Sequence, residues 1–272
     1  MSSQTPSFFV ATSTTILLCS MAWLAGNSKF GCTQKTDDSL PSVTRIESDD
    51  ESFGNTNNDD LDLAVISCIR DRRSIFPNGF KKNPPPLNKD VIQSLLNAAL
   101  YGPFHGKCYA ENQHPAKFVV LGKKSMVEMQ NLTLEYYDKY WEDHWSSIDE
   151  YQKFRACTHA EITGRWGPVN YMIGIVMRRQ AGTKRFPVWE EAAAVACAVQ
   201  NMHIQSTKFK HLACYWSSWH AGARDSGMMK AFLDMEEEDV CMGFFIVAQA
   251  KNPQFRPRRE RNSSLMKVEW RT

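Results

Sequence analysis

The sequence predicts one α/β or α+β domain in which a mixed sheet is covered by helices. Three observations lead there. Helical-period segments and short apolar runs alternate through one block of about 190 of the 272 residues. The run Tyr171 to Met177, YMIGIVM, is apolar throughout, which marks a strand buried on both faces. Pro187 opens an Ala-rich segment that reads as a long, central packing helix.

The elements follow in order. Residues 8–25, FFVATSTTILLCSMAWLA, carry no charge and reach about the 18-residue lower limit for a bilayer span. The first charge is Lys29, so the basic start of a cleaved leader is missing, while five Ser or Thr residues dilute an anchor. Residues 1–30 are therefore expected to be a targeting peptide or a membrane anchor. The segment 31–58 is expected to be a disordered acidic linker, because Asp37 to Asp60 holds eight acidic residues against Arg45 alone.

The folded domain is expected over 59–252. Asp59 or Asp60 can cap a first helix whose apolar positions Leu61, Val65, Cys68 and Ile69 recur at helical spacing and which ends in Arg70, Arg72 and Arg73. A second amphipathic helix runs from Asn88, with Val91, Leu95, Leu96 and Ala99 on one face, to Gly102-Pro103. AKFVVLG (Ala116 to Gly122) reads as a strand, and Ser125 to Tyr151 as helices that form a cover. Val188 to about Lys208 is the long helix; Ala192, Ala193, Ala194, Ala196 and Ala198 let another backbone approach, and Glu190 and Glu191 suit its first turn. Leu212 to Trp219 and Val240 to Ala250 are the last strands, with a short helix at Met228 to Leu233 between them. Residues 253–272 form a basic C-terminal extension: from Lys251 to Arg271 seven basic residues face Glu260 and Glu269.

Composition narrows the function classes. A net charge of +2 gives no reason to expect nucleic acid as a partner. The eight cysteines never form a C-x-x-C pair, which fits neither a zinc site nor a disulfide scaffold. Cys68, Cys197, Cys214 and Cys241 sit in apolar runs and read as small buried hydrophobes, pointing to a reducing compartment for the folded part. There is no P-loop, no G-x-G-x-x-G turn, no H-E-x-x-H helix and no G-x-S-x-G elbow.

Three clusters remain. Arg72-Arg73-Ser74 offers two guanidinium groups and a hydroxyl on one turn, a grip for phosphate oxygens; it would equally serve as the basic end of a helix. Gly102-Pro103-Phe104-His105-Gly106 places a histidine on a loop directly after a helix. Tyr215-Trp216-Ser217-Ser218-Trp219-His220 puts two indoles beside two hydroxyls at a strand end, which suits a planar aromatic ligand with a polar edge or an ordinary core margin.

Taken in order, R-x-R-R-S after the first helix, G-P-x-H after the second, the strand K-F-V-V-L, the helix opening P-x-W-E-E and the final strand G-F-F-I-V-A resemble the nitroreductase family, and within it the small single-domain NAD(P)H nitroreductases. The resemblance spans about 61–252. It implies an α+β fold with a mixed sheet sandwiched by helices around a long central helix. It also implies bound FMN, NADH or NADPH as electron donor, and a small electrophilic acceptor such as a nitroaromatic or quinone, reduced by ping-pong hydride transfer. Arg72, Arg73 and Ser74 correspond to the residues that hold the FMN phosphate and ribityl chain. His105 corresponds to a flavin contact, with Tyr101 one turn earlier, and Trp216, Ser217 and Ser218 to the strand end that touches FMN. Gln205, Ser206, Thr207, Lys208, Phe209 and Lys210 correspond to the segment that contributes to nicotinamide binding. No protein general acid or base is implied, because the cofactor carries the chemistry. A homodimer paired through the long helices is expected, on the family likeness and on the Ala-rich helix needing neighbours on more than one side. The second reading is a membrane-tethered flavin-binding protein with little turnover. Two departures stand out: Gln113-His114-Pro115-Ala116 replaces a Q-P-W, and Lys208, Lys210 and His211 replace the glycines that end the long helix.

Overall fold

A computed structural model describes residues 65–104, 114–180, 185–253 and 266–271. The leader or anchor segment 8–25, the acidic linker and His105 lie outside them. Among the described residues no helix is long and apolar enough to cross a membrane.

The helices are α1 (Ser67–Asp71), α2 (Lys89–Ala99), α3 (Lys123–Tyr140), α4 (Ile148–Gly164), α5 (Val188–Gln205), α6 (Ala221–Arg224) and α7 (Gly227–Phe232). The strands are β1 (Ala116–Leu121), β2 (Val169–Met177), β3 (Leu212–Ser217) and β4 (Val240–Gln249), in the order β1-β2-β4-β3. All three pairings are antiparallel. The α+β class holds, but the described sheet is antiparallel where a mixed one is expected. Apolar runs reveal burial, and pairing direction is decided by partners distant in the chain.

The central strands β2 and β4 are buried on both faces, so alternate side chains feed two cores. On one face Met172, Val176, Tyr215, Phe244 and Ile246 pack with Met126 and Met129 of α3 and Leu233 after α7. On the other, Ile173, Ile175, Cys214, Phe245 and Val247 pack with Ile92 and Leu95 of α2 and Val195, Val199 and Met202 of α5. The helices α2 and α5 cross closely because Gly102 lies against Ala198; a Cβ on Gly102 would come within 3.0 Å of the Ala198 backbone.

Three local expectations change. The described first helix has five residues, none buried, and Val65, Ile66 and Ile69 stand exposed. Cys214 and Cys241 are buried as expected, whereas Cys68 is half-buried and Cys197 is exposed. Glu191 does more than face the first turn of α5: it is buried, ion-paired with Arg179, and its Oε1 accepts the Gln180 backbone N–H at 3.1 Å.

Candidate functional site at the edge of β3

Beyond α1 the chain turns extended at Arg72. It then runs against the outer edge of β3, where the Ile75 N–H donates to the Cys214 carbonyl at 3.1 Å and the Phe76 ring lies 5.0 Å from the Tyr215 ring. Arg72-Arg73-Ser74 is therefore presented along a sheet edge. The other side of the turn is held from α5. His203 Nε2 lies 2.8 Å from the Arg73 carbonyl, and its Nδ1 lies 3.3 Å from Arg72 Nη1.

The two arginines are not equivalent. Arg73 Nη1 donates to the carbonyls of Arg70 and Arg72 at 2.6 and 2.9 Å, so this side chain closes the helix end. Arg72 reaches forward to the histidine, and Ser74 is exposed beside it. Arg70 points elsewhere, paired with Asp71 at 3.3 Å.

At the end of β3 the backbone is unusual. Gly243 has φ +100°, and a Cβ there would lie 2.2 Å from the Ser217 carbonyl oxygen. It sits where β4 carries one more residue than β2 between Gly174/Phe244 and Val176/Cys241, a bulge that needs glycine. Trp219 is also left-handed, at φ 59°. Its indole N–H donates to Thr133 Oγ1 at 3.0 Å, its backbone N–H donates to Ser217 Oγ at 3.2 Å, and its ring packs on Trp166 and Phe244. A bulky residue in this region costs on the order of 1–3 kcal/mol, and such strain clusters at binding sites.

Placement of the remaining candidates is mixed. Trp216 is partly exposed, but its indole N–H is committed to the Met242 carbonyl at 2.8 Å. Ser218 is exposed, and its carbonyl accepts Arg224 Nη1 at 3.1 Å. Tyr101 is 84% exposed and lies apart from the arginine turn, on a groove of about 560 Å³ between α2 and α5 with Asp90, Gln93, Asn97 and Gln205. Gln205 and Ser206 serve internal bonds, to Ser94 Oγ at 2.9 Å and to the His203 carbonyl at 2.7 Å. Thr207 and Phe209 are half-buried, and Lys208 and Lys210 are exposed on the same turn. A second cleft, of about 350 Å³, is lined by Phe104, Phe186, Glu190, Ala194 and Cys197. Neither of these two clefts is lined by Arg72, Arg73 or Ser74.

Sequence reasoning missed His203 and Gly243 as site-builders. The signal for His203 is its place in the apolar stripe Val195, Val199, Met202 of α5, where an imidazole needs a polar reason to be buried.

Next to the strand end, His220 is only half-buried as a residue, yet its ring is enclosed edge-on by Tyr137, Phe154 and Trp219. Burial pulls its pKa down from 6.5 to about 4. An unfolded chain takes up this proton below pH 6.5 and the folded one resists it, so the stabilisation is complete above that pH and is lost as pH falls toward 4. At about 1.4 kcal/mol per pH unit, the loss between pH 7 and pH 4 reaches up to about 3 kcal/mol. Urea melts at both pH values check it: wild type is expected to lose this increment and His220→Gln to lack it.

A sheet packed between helices, with an arginine turn and a strained strand end along one edge, defines the α+β domain. The comparisons give the class its name. The Nitroreductase family model matches residues 69–248, and the chain belongs to that family. Membership places it among oxidoreductases. Solved structures share the fold. A nitroreductase-like protein from Bacillus cereus is 16% identical at TM-score 0.51, covering 74% of this chain and 94% of its own. A nitroreductase with bound FMN from Bacteroides fragilis is 15% identical at TM-score 0.51, covering 75% and 97%. The FMN and NADPH-dependent nitroreductase NfnB of Sphigopyxis sp. strain HMH is 13% identical at TM-score 0.51, covering 75% and 96%. Among curated proteins no sequence match is significant.

Proposed function

We propose that the domain is an FMN-dependent oxidoreductase that takes hydride from NAD(P)H and passes it, in ping-pong order, to a small electrophilic acceptor such as a nitroaromatic or a quinone. The observation that carries this reading is the Arg72-Arg73-Ser74 turn, strapped between β3 and His203 on a sheet edge. Its donors are those a phosphate monoester needs: an arginine fork and a neutral hydroxyl. When bound, FMN supplies the hydride-accepting ring system. In this reading Arg72 and Ser74 hold the phosphate, Arg73 shapes the turn, and the Trp216 to Ser218 strand end lies beside the ring. Exposed Lys208 and Lys210 offer charge to the phosphates of the nicotinamide nucleotide. The relatives described as FMN-bound and as NADPH-dependent support the same assignment.

A homodimer belongs to the proposal. Val65, Ile66 and Ile69 are exposed in and just before α1, the helix that leads into the arginine turn, as are Val188 and Trp189 at the start of α5. A second copy packed there closes the site. A charged residue at Ala194 is expected to abolish both self-association and flavin retention, measured by light scattering and absorbance. A flavin-loaded monomer contradicts the two-chain site.

The cofactor test is mass spectrometry of the ligand released from the purified full chain. FMN is expected, and FAD overturns the assignment. Arg72→Ala is expected to weaken FMN by about 1.5–3 kcal/mol, roughly 10- to 150-fold, as for a lost charge-assisted bond. Arg70→Ala, which loses only an exposed pair with Asp71, is expected to change little. Equal retention by both variants argues against the phosphate grip.

A further inference from the structure

We propose that His203 is a positioning residue that sets the affinity of the arginine turn for the flavin phosphate; this rests on the FMN reading above. His203 is 5% exposed on α5, with its ring edge-on to Phe245 at 5.4 Å. The Arg73 carbonyl can only accept, so Nε2 must carry the proton and donate. Nδ1 is then the lone-pair nitrogen, and Arg72 Nη1 donates to it. One neutral tautomer serves both contacts, and each falls on a neighbouring residue of the same turn.

Three further restraints make this a clasp. The Ser206 hydroxyl donates to the His203 carbonyl at 2.7 Å and fixes the last turn of α5. Beyond Ser74, the Ile75 N–H bond to Cys214 pins the chain to β3. Arg73 Nη1 bonds backward to Arg70 and Arg72. The stretch Arg72 to Ser74 is thus held at both ends before any ligand arrives. An arginine side chain ordered in advance loses less rotamer freedom on binding, and that difference is gained as affinity. Here one nitrogen holds the Arg73 backbone and the other the Arg72 side chain, which the FMN reading places against the phosphate.

The effect is aimed at phosphate, which separates positioning from packing. Binding of FMN and of riboflavin, which lacks the phosphate, is measured by fluorescence quenching on the apo full-length chain for wild type, His203→Leu, His203→Gln and Arg72→Ala. His203→Leu is expected to lose about tenfold or more in FMN affinity and less than about twofold in riboflavin affinity, because a lost phosphate contact is felt only by the phosphorylated ligand. His203→Gln, whose amide can donate and accept, is expected to recover most of the FMN loss. Thermal melts of the apo forms verify folding. If His203→Leu does not fold, the pair Arg72→Ala and His203→Ala carries the test: the double variant is expected to lose no more FMN affinity than Arg72→Ala alone, and additive losses overturn the proposal. Unchanged FMN affinity in His203→Leu, while Arg72→Ala loses it, overturns the clasp and leaves the FMN reading standing. Equal loss of FMN and riboflavin overturns it in favour of packing. A wild type that binds neither flavin overturns the FMN reading itself.

Discussion

Gly243→Ala is expected to lower stability by on the order of 2–6 kcal/mol and to strip the domain of flavin. Two costs add. A φ of +100° is one that residues with a Cβ rarely adopt, at about 1–3 kcal/mol. The new methyl would also lie 2.2 Å from the Ser217 carbonyl, so β3 and β4 must part where they now touch, at a further 1–3 kcal/mol or so. Relief requires Ser217 and Ser218 to move, and these are the residues proposed to lie beside the flavin. Thermal unfolding checks it, with a fall of about 10 °C expected for a domain of this size. Gly227→Ala is the control: nothing lies within 4 Å of its added Cβ, and no comparable loss is expected. Equal melting of the two variants contradicts the account of the bulge.

Glu191→Ala is expected to cost about 3–5 kcal/mol, because it leaves the Arg179 guanidinium buried without its partner. It also removes the acceptor for the Gln180 backbone N–H. These bonds tie the exit of β2 to the start of α5, the helix that carries His203 at its other end. Glu191→Gln keeps the volume and an acceptor and is expected to cost less. Chemical denaturation of the three proteins gives the order wild type, Gln, Ala. A change below about 1 kcal/mol in the alanine variant contradicts the pairing as a structural clasp.

Much of the fold is legible in the sequence because its central strands are buried on both faces. YMIGIVM and VCMGFFIVAQA are continuously apolar and stand in the structure as β2 and β4 to within a residue or two. The Ala-rich segment becomes α5, and the expected short helix near Met228 becomes α7. Pairing is not legible, since the order β1-β2-β4-β3 joins segments far apart in the chain and periodicity names no partner. For the site, order and residue type mark Arg72 to Ser74 and the β3 end, which the structure sets along one sheet edge. The inequality of Arg72 and Arg73 is hidden, because it depends on His203, some 130 residues away. The indole of Trp216 is a similar case: its spacing shows an aromatic at a strand end, and only the fold shows its N–H engaged with Met242. Glu191 suits a helix start by position, and its Arg179 partner emerges only when β2 meets α5.

The proposed role of this domain is to bind FMN and cycle it between a nicotinamide donor and a small acceptor. Anaerobic titration of the purified full chain with NADPH, and in parallel with NADH, tests it most directly, with visible absorbance as the readout. The protein is expected to carry FMN, about one equivalent of one nucleotide to remove the absorbance, as transfer of a single hydride requires, and a quinone or nitroaromatic then to restore it. A colourless protein that takes up no added FMN, or a bound flavin that neither nucleotide bleaches, contradicts it.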